Sequence, residues 1–400
     1  MKRILIVINT LGMAGAETAL MELVRHVNPK EYQTDLYVLL GQGELVHRLP
    51  EHIRLLNRRY SDCSVLSREG KKLLFSNTLR ALAARGNLFF LLPYLAGNFW
   101  EMARKKRILP DKLMWRALSD GAERFHRVYD LAVAFLEGGA SYYVADHVKA
   151  KKKAAFIHVD YTRAGYTRRL DRDCYLKFDR IFTVSDEVRE AFLKVYPQCR
   201  EKTEIFRNLV DREGILKKAQ LPGGFSDSFQ GLRILTVGRL TAQKALEVSV
   251  EAMALLKKSG ENVRWYVLGE GDERRFLEGK IRQLGLERDF LLLGAVPNPY
   301  PYLRQADIYV HASRYEGKSI AIQEAQILGK PILVSDCSGN REQVKPMEDG
   351  MMCSLTPEGI RDGVQALIHD GDLRKRIGFA AAARSFGDES ELEKLFCLLA

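Results

Sequence analysis

Short apolar runs of four to eight residues alternate with longer amphipathic stretches from one end of the chain to the other. In the first half the runs are RILIVIN, DLYVLL, LAVAFLE, AAFIHV, RIFTVS and EIFRN; in the second they are RILTVGR, VRWYVLG, FLLLGAV, DIYVHAS and PILVSD. They are rich in Val, Ile and Leu, and most are followed by Gly, Ser, Asn or Asp. That is the signature of parallel strands buried on both faces and joined by crossover helices. The pattern predicts an α/β protein of two Rossmann-like, doubly wound domains, with ligands outside the carboxyl ends of the strands. The segment DREGILKKAQLPGGFSDSFQG, 211–231, holds Pro222, Gly223 and Gly224 ahead of a new strand, which predicts domains of 1–215 and 216–400.

One stretch breaks the alternation. Residues 60–127 contain no convincing strand but two helical patterns dense in positive charge, REGKKLLFSNTLRALAAR and NLFFLLPYLAGNFWEMARKKRILPDKLMWRAL. They predict a basic helical insertion in the first domain. Phe89, Phe90, Tyr94, Phe99, Trp100 and Trp115 beside Arg104, Lys105, Lys106 and Arg107 suit a helix lying on an anionic membrane surface. They equally suit a helix whose aromatics pack on its own domain.

Length and charge sharpen this picture. Four hundred residues are more than one core usually supports, in agreement with two domains. The formal net charge is +11, and residues 1–210 hold 36 Lys and Arg against 24 Asp and Glu, so the whole excess lies in the first half. Such asymmetry points to an anionic partner, with an ordinary lysine-rich surface as the plainer reading. No nucleic-acid module is legible, and no nucleic-acid partner is expected.

The N-terminal MKRILIVINTLG starts with charge but has only five apolar residues in a row, so it reads as a first strand rather than a signal peptide. No run reaches the ~20 apolar residues of a membrane span. Six cysteines without paired spacing read as free thiols in a reducing, cytoplasmic compartment, and no metal is expected.

Candidate chemistry clusters after the strands. SRYEGKSIAIQEAQILGKP, 313–331, follows a strand and predicts a helix from Ser319 to Leu328, stopped by Gly329 and Pro331. Glu324 shares a face with Ile320, Ala321, Ile327 and Leu328, where a carboxylate without a partner would cost several kcal/mol or turn neutral. Glu316 stands just before the helix. Amides at Lys318, Ser319 and Ile320 could hold a phosphate or sugar oxygen, and both glutamates could grip hydroxyls.

VGRLTAQKA, 237–245, sets Arg239 and Lys244 after a strand, where two cations could neutralise a diphosphate or simply face solvent. GMAGAETAL, 12–20, could bring backbone close to a phosphate through Gly15, or be only a turn. His158 ends a strand, as a site residue or a structural histidine would. The run Asp171-Arg172-Asp173 reads as a solvated charged face, and GEGDER, 269–274, lacks the third glycine and Lys-Ser/Thr pair of a phosphate loop.

Taken together, EGKSIAIQE with ILGKPILVSD, the AGAE turn, His158, RNLVD, VGRL with Lys244, GEG and GAV resemble the retaining glycosyltransferases of family 4. The resemblance covers nearly the whole chain except 60–127. It implies the two-lobed GT-B fold and no cofactor beyond a nucleotide-sugar co-substrate.

The resemblance also implies roles. Arg239 and Lys244 would bind the donor's pyrophosphate, and Glu324 the ribose. Glu316 would hold the transferred sugar, with Lys318, Ser319 and Ile320 contacting donor through the backbone. Gly15 would let its loop approach the diphosphate, and His158 would lie near the reacting centre. The expected reaction moves a hexose or N-acetylhexosamine from a UDP-linked donor to a lipid-linked or polysaccharide acceptor, at the cytoplasmic face of a membrane. Rival readings are a GT-B phosphorylase or epimerase and a non-catalytic sugar-nucleotide-binding subunit. Three positions depart from the family pattern: Lys318 for Phe, Ala245 for Gly and Ala14 for Gly.

Overall fold

A computed structural model describes residues 1–65, 67–83, 87–104, 109–384, 386–387 and 389–399. The chain divides into two compact units, Met1–Val210 with Gly387–Ala400, and Asp211–Phe386. The first holds a seven-stranded sheet: β1 (Lys2–Ile8), β2 (Tyr32–Val38), β3 (Ile53–Leu55), β4 (Val128–Ala134), β5 (Lys149–Ile157), β6 (Arg180–Thr183) and β7 (Thr203–Ile205). Its order is β3-β2-β1-β4-β5-β6-β7, and every neighbouring pair is parallel.

The second unit holds β8 (Leu232–Val237), β9 (Val263–Leu268), β10 (Phe290–Gly294), β11 (Ile308–His311), β12 (Ile332–Ser335) and β13 (Met351–Cys353). They form a second all-parallel sheet, in the order β10-β9-β8-β11-β12-β13. Eleven of these thirteen strands overlap the apolar runs predicted from sequence.

Helices cover both faces, and the strand sequences show why. Ile234, Trp265, Val267, Ile308 and Val310 enter one buried cluster. Their immediate neighbours Leu235, Tyr266, Leu268 and Tyr309 enter another. Side chains alternate across a strand, so a run apolar at every position must be covered on both sides.

The units part at Val210 and Asp211 rather than at 215 and 216. The Asp211 side chain accepts from Gly214 N at 2.7 Å and so caps the helix Arg212–Ala219. That helix is tied within the second unit by Arg212 to Ala382 O at 2.9 Å and by Asn298 to Lys218 O at 3.0 Å. The expectation that 387–400 belongs to the second domain is also corrected. Leu392 and Leu395 are buried, Phe396 stacks on Tyr32 with centroids 4.6 Å apart, and Glu391 accepts from Arg207 N at 3.0 Å.

The insertion contains helices Arg68–Ala83, Asn87–Arg104 and Pro110–Gly121 between β3 and β4. Ala81, Leu91, Tyr94, Met102, Ala117 and Leu118 join the first unit's core. The opposite face behaves differently: Phe75, Leu92, Phe99 and Trp100 are exposed at 66%, 52%, 51% and 64%. The segment's apolar side chains are thus divided between the first unit's core and its surface. Lys105, Lys106 and Arg107 lie outside the described residues.

Asp171 corrects the reading of a solvated charged run. It is fully buried and accepts from Tyr161 OH at 2.6 Å, Tyr142 OH at 2.8 Å and Tyr196 OH at 3.1 Å. Burial pushes its carboxyl up to about 7 against the pull of those three donors. Only its charged neighbours in sequence suggested exposure.

Candidate functional site

In the second unit the residues of interest sit where strands end. β8 stops at Val237 and the chain turns through Gly238 and Arg239, while β9 stops at Leu268 before Gly269. These turns touch: Gly269 has φ +152, and a Cβ there would lie 1.8 Å from Gly238 O. Glycine is required by the contact as well as by the backbone angle. The Arg239 side chain is exposed and makes no hydrogen bond or ion pair among the described residues.

The next turn, Ala242–Lys244, is a short 3₁₀ helix that swings Lys244 back beneath Gly238. Ala245 follows in the left-handed region at φ 46, a conformation that costs an alanine roughly 1 kcal/mol. That is the position where the family pattern prefers glycine, and here the alanine adopts the glycine-like backbone.

β11 ends on His311, and Glu316 lies five residues on. Lys244 Nζ pairs directly with Glu316 Oε1. His311 Nε2 is 3.1 Å from both Lys244 Nζ and Glu316 Oε1, and Ser313 Oγ donates to Glu316 Oε1 at 2.6 Å. His311 Nδ1 lies 3.1 Å from Tyr309 OH. Burial alone would push the Glu316 carboxyl up, but the Lys244 ammonium and His311 outweigh it and hold it well below the usual carboxylate range. His311 is pushed down, first by burial and then by Lys244. The product is a buried, ionised carboxylate gripped by one cation, with a second cation, Arg239, exposed one turn away in sequence.

The helix predicted after Glu316 runs Ile320–Ile327 with Ser319 as its cap residue. Its start is clasped by Gln343: Ser319 N donates to Gln343 Oε1 at 2.6 Å and Gln343 Nε2 donates to Ser319 O at 2.8 Å. Of the three amides expected to meet a donor, that of Ser319 is already engaged. Lys318 is half-buried beside it, and Ile320 opens the helix. Gly339 meets the same turn, where a Cβ would fall 1.8 Å from Gly317 O.

Glu324 is buried, as its helical face required, and it has a partner the sequence did not reveal. Tyr300 OH donates to Glu324 Oε1 at 2.8 Å. Burial still dominates and pushes the carboxyl up to about 7, against Tyr300 and the more distant Lys218. His311, Ser313, Tyr300 and Gln343 were absent from the sequence reading, as was Gln243, whose Nε2 donates to Tyr315 O at 2.8 Å next to Glu316. Only the regular position of His311 at a strand's end could have flagged any of them.

The first unit gathers a separate group at its own strand ends. Asn9, just past β1, donates to Glu137 O at 3.2 Å and accepts from Ala140 N at 2.8 Å. Thr10 Oγ1 donates to Glu17 Oε1 at 2.8 Å. Glu137, after β4, accepts from His158 N at 2.9 Å, and burial pushes its carboxyl up. The His158 ring sits against Phe135 and Phe156 at 5.1 and 6.1 Å, and its Nε2 is buried without a partner. Burial lowers that ring to about 4, so it is neutral. Gly15 opens the helix Gly15–Arg25, exposed, with no atom within 4 Å of an added Cβ. Among the described residues, no three His, Cys, Asp or Glu side chains are grouped to hold a metal ion.

Two parallel Rossmann-like sheets in series define the GT-B class. HepE from Anabaena, solved in complex with UDP-glucose, matches 99% of this chain and 100% of its own with a TM-score of 0.68, at 16% identity. Residues 230–384, most of the second unit, match the family described as "Glycosyl transferases group 1". A Campylobacter jejuni relative, N-acetylgalactosamine-N,N'-diacetylbacillosaminyl-diphospho-undecaprenol 4-alpha-N-acetylgalactosaminyltransferase, is 31% identical over 53% of this chain and 56% of its own. Amylovoran biosynthesis glycosyltransferase AmsK of Erwinia amylovora is 34% identical over 35% of each. The chain spans about half the length of the curated relatives it matches most extensively.

Proposed function

We propose that the protein is a retaining glycosyltransferase that moves a hexose or N-acetylhexosamine from a UDP-linked donor to a lipid-linked or polysaccharide acceptor in envelope or exopolysaccharide synthesis. The observation that carries this reading is the Lys244–Glu316–His311 cluster, with Arg239 exposed in the same post-β8 turn and without a side-chain partner among the described residues, inside the family's matched region. Arg239 and Lys244 are cations of the kind that would take up the charge developing on a departing diphosphate. Glu316, held ionised, would accept from hydroxyls of the transferred sugar, and Glu324 from the ribose. A carboxylate restrained by an ammonium and a serine hydroxyl is a poor covalent nucleophile. Its placement supports front-side attack, in which the leaving phosphate takes the acceptor's proton.

The AmsK name and the diphospho-undecaprenol in the Campylobacter relative's name support the acceptor class. Exposed Phe75, Leu92, Phe99 and Trp100, with Lys71, Lys72, Arg80 and Arg104 on the same two helices, support docking on an anionic membrane. Among the described residues, no helix is long and apolar enough to cross one.

The test is a panel of nucleotide sugars with a lipid-diphosphate-linked acceptor. Nucleoside diphosphate released only when acceptor is present, with the donor's anomeric configuration kept in the product, is the expected result. Binding of UDP without any turnover across the panel would favour a non-catalytic subunit.

A further inference from the structure

The first unit carries a second concentration of charge that the transfer reaction does not use. A cavity of about 370 Å³ is lined by Arg54, Arg58, Arg124 and Arg127 together with Phe125, His126 and Tyr129. Its size is within the range of small-ligand sites. It lies by the short edge strand β3 and the segment leading into β4, whereas His158 and Glu137 follow the far ends of β5 and β4.

Arg54 and Arg127 share a built support. Asp35, 1% exposed on β2, takes two bonds from Arg54, at Nε 2.8 Å and Nη2 2.7 Å. The same carboxylate accepts from Tyr129 OH at 2.9 Å and lies 3.6 Å from Arg127 Nη1. Arg58 pairs with Glu123 at 2.9 Å. Arg124 and His126 make no hydrogen bond or ion pair among the described residues.

Charge counting then points to a ligand. Four guanidinium groups against the two carboxylates Glu123 and Asp35 leave two positive charges around the hollow. One buried aspartate needs one bidentate arginine, not four arginines around a void. Like charges converging on a hollow repel one another, and an anion there turns that cost into binding. Guanidinium forks match phosphate oxygens geometrically, and Arg54, fixed by Asp35, loses little freedom on binding.

We propose that this cavity is a second anion site that takes a doubly charged phosphate group. The site stands apart from the donor reading and holds whether or not the chain transfers sugar. Its occupant carries either a free phosphate monoester or the phosphate of a lipid headgroup.

The experiment uses the full chain bearing Arg239→Gln, so that the second unit's exposed cation contributes little. Inorganic phosphate is titrated by calorimetry at low salt, with and without Arg124→Gln and Arg127→Gln added. Asp35 keeps Arg54 and Tyr129 in that variant, so an unchanged melting temperature is expected and verifies folding. We expect one phosphate per chain, bound at least tenfold more weakly when the two arginines are gone. Equal affinity in both proteins, or no saturable binding in either, overturns the proposal. Displacement of bound phosphate by short-chain phosphatidic acid identifies a lipid source; failure to displace it identifies a soluble phosphate compound.

Discussion

At the residue scale, a few atoms decide whether the second unit can do chemistry. Glu316→Gln removes the negative charge but keeps the shape, and Lys244 then faces a neutral amide. If Glu316 orients the sugar, turnover falls by about 10²-fold or more while UDP affinity changes little. Steady-state kinetics alongside UDP calorimetry separates the two quantities, and unchanged turnover would remove Glu316 from the mechanism.

Lys244→Met is the harsher change, because it leaves a carboxylate buried with its cation gone. A loss of about 3 kcal/mol or more in the second unit's stability is expected, measured by urea unfolding. Glu324 answers to pH. Hydroxyl donors favour its ionised form, so donor binding should tighten as pH rises through about 7, and Glu324→Gln should abolish that slope. A flat profile in the native protein would argue that the ribose lies elsewhere.

At the scale of elements, the sequence was informative wherever burial imposed a period. β1, β4, β8 and β11 carry apolar residues at successive positions, ILIVI, LAVA, IL and IYV, because both faces are covered there. The two strands that escaped notice, β3 and β13, are three residues each and lie at sheet edges, too short to show a period. Partners across the fold were illegible for the same kind of reason. Tyr300 is 24 residues from Glu324, and Gln343 is 24 from Ser319; nothing local announces either pair. Asp171 failed in the opposite sense, since its charged neighbours hid three tyrosines brought in from 10 to 29 residues away.

Two predictions belong at this scale. Gln343→Ala leaves Ser319 N and O without their side-chain partner and should cost about 2 kcal/mol, read as a lower urea midpoint for the second unit. On the insertion, Phe99→Glu with Trp100→Glu should weaken binding to anionic vesicles at least tenfold while leaving the melting temperature nearly unchanged, because both side chains already face water. Vesicle binding that survives both charges would move the docking surface elsewhere.

For the whole molecule, Asp171 in the first unit and Glu324 in the second are buried acids displaced in the same direction, as Glu137 of the first unit also is. Both are raised when folded, so each is neutral in the folded chain at a pH where it is already charged in the unfolded one. The stability they contribute is fully present below about 4, their ordinary range, and is lost as pH rises through about 7. The effect is of order a few kcal/mol per unit. Melting temperatures should therefore fall between pH 5.5 and 8, and Asp171→Asn with Glu324→Gln should reduce that fall, leaving the part due to Glu137. Glu316 works in the other direction: its contribution is present above about 4.5 and drains away in acid.

The return of residues 387–400 to the first unit has a practical consequence for anyone handling this chain. Clipping it at 386 would not trim the second unit but would strip Leu392, Leu395 and Phe396 from the first, exposing Tyr32 beneath them. A reporter fused after the last residue would be anchored on the sheet that starts the protein. The unit made of one continuous piece of chain is the middle, 211–386, with the family's matched region inside it.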